Sequence, residues 1–355
     1  MATPLRILLL GASYGSLLAS KLLLAGHTVR LVCLPAEAES INAEGVCVRF
    51  PIRGRDGFLD VQSRRLPGSL SAGGPQDVDP ADFDLVGLAM QEPQYRAPGV
   101  RELLDAVAQA KVPCLSIMNM PPLAFLRRIP GLDADALRDC YADAGVWDRF
   151  DPARITLCSP DAQAFRPPDE KSHVLQVGLP TNFKAARFAT DADNAILRRL
   201  EADIDAARLA TDNGAIELPV KLRVHEAVYV PLAKWCMLIT GNYRCIQADS
   251  VRSIKDSVLA DVDRSRSIYD WVAALCMSLG ASADDLVPFQ KYAHAASSLG
   301  RPSSVARAVA AGAKDVERVD RLVQRIAAQK GRRSDFLDET VATVDRRLAA
   351  NRSAH

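Results

Sequence analysis

Two places in the chain carry residues whose types and spacing could do chemistry. The first is the turn Gly11, Ala12, Ser13, Tyr14 and Gly15, which follows an apolar run at residues 6–10 and precedes another at 17–24. An apolar run before a glycine turn suits a parallel strand buried on both faces. The helix after it aims unpaired N–H groups at the turn, where a pyrophosphate is favoured. The expected G-x-G-x-x-G is shortened to Gly11-x-Ser13-x-Gly15, with serine where a glycine would let the backbone approach that pyrophosphate. Residues 28–33 supply a second strand, completing a strand-helix-strand unit of about 30 residues. The second place is Lys234, inside the apolar run 231–239 and followed by Asn242. An ammonium in so apolar a segment loses part of its preference for the charged form and becomes a better general acid or base near neutral pH. On a continuing α-helix Asn242 lies about 80° around the axis from Lys234, so both could face one substrate. A lysine there can also snorkel to solvent.

The elements that must position these residues follow from pattern. A chain of 355 residues suggests two domains. With 48% apolar residues, 25% charged residues and a net charge of +1, there is no electrostatic bias towards nucleic acid or membrane. The eight cysteines form no C-x-x-C pair and read as reduced thiols of a cytoplasmic protein, with no metal expected. No run of eighteen apolar residues occurs and the start lacks an export pattern, so neither secretion nor a membrane span is expected. A short helix is expected over 36–44, a strand pair at 46–50 and 58–62, and a surface loop over 67–80. Strands at 83–90 and 112–117 flank a helix at 100–111, an alternation that makes a parallel sheet. Residues 151–185 read as the far part of the same sheet, and 190–209 as a charged helix. Polar residues near 211–214 mark a link, and beyond 222 helices are expected over 229–240, 254–279, 305–329 and 336–351. The fold class is α/β: a Rossmann-type parallel-sheet domain at 1–210, a linker at 211–222 and an all-helical domain at 223–355.

The ordered set of motifs resembles the ketopantoate reductase family. It comprises the nucleotide turn with its helix ending in Ala25, Gly26 and His27, the Asp84-Leu85-Val86 strand, the strand ending in Asn119, the Lys234 helix with Asn242, and an acid after Ser303 and Ser304. The resemblance runs along nearly the whole chain. It implies reduction of a small 2-oxo acid with a nicotinamide cofactor, Lys234 as general acid, and Asn119, Asn242 and Asp315 around the reacting carbonyl. It further implies that Ser303 and Ser304 contact substrate, that residues 11–15, Met90, Gln91 and Asn119 contact the cofactor, and that the protein is a homodimer.

The departures from the family pattern are as informative. Leu238 replaces the first asparagine after the lysine, Met120 replaces a glycine, and Asp315 replaces a glutamate. Leu34 stands where the family has an arginine for a 2′-phosphate, Gln91 replaces a lysine, and the nearby Glu37 would oppose an added phosphate. The expectation therefore leans to NAD over NADP, with Arg64 or Arg65 as alternative phosphate ligands. The substrate is expected to differ from ketopantoate. Two rival readings stay open: an opine-type dehydrogenase that reduces imines, with His225 as its base, and a nucleotide-binding sensor without catalysis.

Overall fold

The computed structural model describes residues 3–54 and 56–354. It contains two compact units, one made of Met1–Met90, Gln94–Phe125 and Val146–Glu226, the other of Gln91–Pro93, Leu126–Gly145 and Ala227–His355. The chain passes from the first to the second after Met90, after Phe125 and, for the last time, after Glu226, not within residues 211–222. Those residues instead carry part of the hairpin Leu209–Thr211 with Gly214–Ile216 and the start of the strand Leu222–His225.

The first unit is built on an eight-stranded sheet. From one edge its order is Leu222–His225, Phe183–Ala186, Ile155–Pro160, Cys114–Ile117, Leu85–Leu88, β1 (Arg6–Leu10), β2 (Thr28–Val32) and Ser69–Gly73. All neighbours are parallel except Phe183–Ala186 against Ile155–Pro160. Ile7, Leu8, Leu9 and Leu10 are fully buried, as a parallel strand covered on both faces requires. Each such side chain contributes roughly 1.5–3 kcal/mol by leaving water. Helix α1 (Tyr14–Leu24) is buried from Gly15 to Leu24. Its Ser20 hydroxyl is tolerated there because it donates back to Leu17 O at 2.7 Å.

Two expectations are corrected here. Within 151–185, only Ile155–Pro160 and Phe183–Ala186 join the main sheet. Gln163–Phe165 and Val174–Leu179 form a second sheet with Cys47–Pro51 and Phe58–Gln62. The supposed surface loop 67–80 contains the edge strand Ser69–Gly73, paired with β2 along its whole length. Small residues permit this, since a Cβ at Gly68 would lie 2.2 Å from His27 O. Composition read the segment as loop because Gly and Pro punctuate it, but close backbone approach also calls for glycine.

The second unit is helical, with breaks that periodicity hid. The expected helix 254–279 is two, Ile254–Leu259 and Val262–Leu279, because Asp261 caps the second by accepting from Arg264 N. The expected helix 305–329 is also two, Ser304–Ala310 and Val319–Gln329, so residues 311–318 are irregular. The last helix is Asp335–Ser353.

Candidate active site

In the first unit, the sheet order places the carboxyl ends of β1, Leu85–Leu88 and Cys114–Ile117 side by side. β1 is also where the order reverses, and open α/β sheets bind ligands at such switch points. Gly11 to Gly15, Met90 and half-buried Asn119 therefore lie together at the carboxyl end of the central strands. Gly11 has φ +101°, and a Cβ on it would fall 2.6 Å from Met90 Cγ and 2.8 Å from Ala89 O. Only glycine satisfies both the backbone and the space. Met90 is held by its N–H, which donates to the Tyr95 hydroxyl at 3.0 Å, and buried Tyr95 packs edge-on to Trp147. Gly15 is less constrained: its added Cβ would meet the flexible Leu31 side chain at 3.3 Å. The Ser13 hydroxyl does not cap α1, so the serine in the turn is not spent on the helix. Tyr14 anchors the turn by donating to Ala162 O at 3.0 Å.

At the end of β2, Leu34 is 75% exposed and caps helix α2 (Pro35–Glu44), whose first turn carries Glu37. Glu37 is paired with Arg166, which arrives from the loop after Gln163–Phe165. Burial, followed by the Glu37 carboxylate, pushes the Cys33 thiol up to about 11. Arg166 was invisible to spacing because more than a hundred residues separate it from Glu37. Arg64 is engaged elsewhere, donating to Asn42 O at 2.8 Å and to Ala43 O. His225 ends an edge strand of the sheet, where its carbonyl accepts the Arg187 N–H at 2.9 Å.

In the second unit Lys234 opens a single α-helical turn, Lys234–Met237, after the 3₁₀ turn Val230–Ala233. The next stretch, Leu238–Asn242, is π-helical, which corrects the assumption that Asn242 follows on a regular α-helix. A π-turn re-aims the residues after it and is common at functional sites. Here Tyr292 donates its hydroxyl to Met237 O at 3.1 Å. Gly241 makes room for it, since a Cβ there would lie 2.0 Å from that oxygen. Lys234 is half-buried between fully covered Ala233 and Trp235, and Asn242 is likewise half-buried.

The remaining candidates separate on burial. Ser303 is buried and fully occupied: its hydroxyl donates to Asn242 O at 2.7 Å and accepts from Ala306 N at 3.3 Å as a helix cap. It bolts the helix Ser304–Ala310 to the Lys234 segment. Ser304 is exposed. Asp315 lies in the irregular stretch and pairs with Arg352 at 3.0 Å. The buried acid is Glu317, 8% exposed, whose Oε1 accepts the Glu92 N–H at 3.4 Å and whose carbonyl accepts the Tyr243 hydroxyl. Gln91 is exposed, whereas Glu92 beside it is buried and accepts the Ala142 N–H with both oxygens, at 3.1 and 3.2 Å. The expected helix 305–329 is broken around Asp315, so Asp315 and Glu317 lie in the irregular stretch 311–318 instead of on a helix face.

No family model matches the chain, and no curated protein matches it in sequence. Solved structures do. A PanE/ApbA family ketopantoate reductase from Ralstonia eutropha has a TM-score of 0.60 at 17% identity, with 98% of this chain and 99% of that chain covered. D-mandelate dehydrogenase in ternary complex with NADH and anilino(oxo)acetate has a TM-score of 0.63 at 13% identity, covering 98% and 99%. Dimeric ketopantoate reductase from Staphylococcus aureus has a TM-score of 0.61 at 10% identity, covering 98% and 100%. The class defined is a Rossmann-type sheet unit joined to a helical unit. The chain has the fold of the ketopantoate reductases and of D-mandelate dehydrogenase along nearly its whole length.

Proposed function

We propose that the protein is a nicotinamide-dependent reductase of a small 2-oxo acid. The observation that carries this reading is the Gly11 turn, closed against Ala89 and Met90 at the switch point of a sheet whose fold over 98% of the chain is that of 2-oxo acid reductases. The turn fits a pyrophosphate, because glycine brings the backbone close and α1 presents its first N–H groups there. Residues 11–15, Met90 and Asn119 would hold the dinucleotide. When bound, it supplies the hydride.

The chain's own groups do the rest. Lys234 gives its proton to the carbonyl oxygen as negative charge develops on it, which avoids a free alkoxide. Asn119 and Asn242 offer amide hydrogens that orient the carbonyl and carboxylate, and such positioning can lower a barrier by roughly 7–11 kcal/mol. Ser304 is the serine left to contact substrate, since the hydroxyl of Ser303 is occupied. To buried Glu317 we assign the role that the resemblance gave Asp315. At the adenosine end, Glu37 accepts from the ribose hydroxyls with Arg166 fixing its carboxylate, and Leu34 offers no charge to a 2′-phosphate; both favour NAD. The protein acts as a homodimer, as the dimeric Staphylococcus aureus structure suggests.

Titration with NADH and NADPH, followed by energy transfer from the three tryptophans, tests the cofactor. Turnover on a panel of 2-oxo acids, with and without added amine, tests the reaction. NADH binding with amine-independent reduction supports the proposal. Failure to bind either dinucleotide defeats it, and an absolute amine requirement would point to imine reduction.

A further inference from the structure

In the helical unit the Arg252 side chain lies against the Arg244 backbone, and among the described residues no carboxylate pairs with either arginine. Arg244 lies in the turn Tyr243–Cys245 just after the π-turn, and Arg252 follows a tight chain reversal closed by the bridge of Ile246 with Val251. That reversal brings Arg252 back onto Arg244: its backbone N–H donates to Cys245 O at 3.0 Å, and its Nε donates to Arg244 O at 3.2 Å. Both arginines are half-buried. Arg244 Nη1 donates to Ser265 Oγ at 2.9 Å and to Thr240 O at 3.2 Å, and Arg252 Nε also donates to Ser257 Oγ at 3.1 Å. Among the described residues, Nε and Nη2 of Arg244 and both Nη groups of Arg252 have no hydrogen-bond acceptor, and neither arginine forms an ion pair.

The surrounding charges deepen the imbalance. Burial, then Arg252, then Arg264 push Arg244 down to about 10, and the Asp261 carboxylate acts against them. Asp261 is already occupied in capping its own helix, through Arg264 N at 2.9 Å. Arg264 leans outward to Glu339 at 3.6 Å. The hydroxyl of Thr240, one turn before Arg244, is fully buried and has no hydrogen-bond partner among the described residues. Buried charges are ordinarily paired, and two like charges sharing a partly dry site are a cost that a bound anion relieves.

We propose that Arg244 and Arg252 form a binding site for a phosphate-type oxyanion. A tetrahedral oxyanion suits the site better than a carboxylate because the Nε and Nη2 of Arg244 and the two Nη groups of Arg252 offer more donors than two oxygens can accept. Its chemistry is that of free phosphate or of a phosphate monoester. The inference stands apart from the proposed reaction, since neither arginine is among the residues assigned to it.

The test is calorimetric titration of the full chain with inorganic phosphate and, in a separate arm, with glycerol 3-phosphate, against chloride at constant ionic strength. Saturable binding is expected in the unaltered protein. Arg252→Gln should weaken it by about tenfold or more, the loss expected for a charge-assisted contact. Tighter binding of the ester assigns the ligand as a monoester, and binding of phosphate alone assigns the free ion. Phenylglyoxal labelling with peptide mapping needs no variant: phosphate should protect Arg244 and Arg252. Absence of binding, equal affinity in Arg252→Gln, or unprotected labelling of both arginines would overturn the proposal.

Discussion

At the scale of residues, the proposed chemistry rests on groups that differ sharply in how replaceable they are. Gly11→Ala should abolish cofactor binding or foldedness, because a positive φ costs on the order of 1–3 kcal/mol for a side-chain-bearing residue and the new Cβ overlaps Ala89 and Met90. Gly15→Ala should retain binding, since only a flexible leucine side chain must give way. Equal damage from the two, read by dinucleotide titration, would refute this ordering. Lys234→Ala should cut turnover by about 100-fold or more with cofactor affinity nearly unchanged, and Lys234→Arg should be almost as harmful because guanidinium does not readily release its proton. A normal rate in Lys234→Ala would end the assignment. Glu37→Gln together with Leu34→Arg should move preference towards NADPH by about tenfold, the worth of a charge-assisted hydrogen bond to phosphate. Unchanged ratios of NADH to NADPH affinity would place cofactor choice elsewhere.

At the scale of elements, the π-turn Leu238–Asn242 is the feature to perturb. Tyr292 caps Met237 O and presses on Gly241, so the turn depends on a partner from another helix rather than on its own propensity. Tyr292→Phe should cost about 1 kcal/mol for the lost buried hydrogen bond, seen as a shifted denaturant midpoint with unchanged slope. Gly241→Ala should be worse and should impair turnover through Asn242. If both variants keep full activity and stability, the turn has no part in positioning that asparagine. The packing that makes this turn was not legible in residues 229–240, because a regular apolar pattern looks the same whether the helix is α or π.

At the scale of the whole molecule, stability should depend on pH through a buried lysine of the sheet unit. Lys21 is 3% exposed and donates to Leu218 O at 2.9 Å and to Pro219 O at 3.0 Å. Burial, then the charge of Lys221, push it down from 10.5 to about 7. Between pH 7 and 10.5 the unfolded chain therefore binds more protons at this group than the folded one, and stability rises with pH. The buried thiols act in the opposite sense: burial raises Cys114 and Cys158, so stability is lost above the ordinary thiol value of 9.0. An optimum between about pH 8 and 9 follows from these opposed slopes. Lys21→Met should flatten the rise from pH 7 to 9 in chemical denaturation, and an unchanged slope would exclude Lys21 as its source.

The sequence by itself determined the strand-helix-strand unit, the parallel sheet, the helical second half and the glycine turn, because these rest on local apolar period and on residues that few backbones tolerate. It could not determine which distant segments meet. Ser69–Gly73 became an edge strand through pairing with β2, and the main sheet ended on Leu222–His225 through pairing with Phe183–Ala186. Arg166 reached Glu37, Ser303 was drawn into capping and bolting, and Glu317 rather than Asp315 was buried, all by contacts across long separations. Local pattern records what each residue prefers for itself. Burial and partners are properties of the folded chain, and only the tertiary structure decides them.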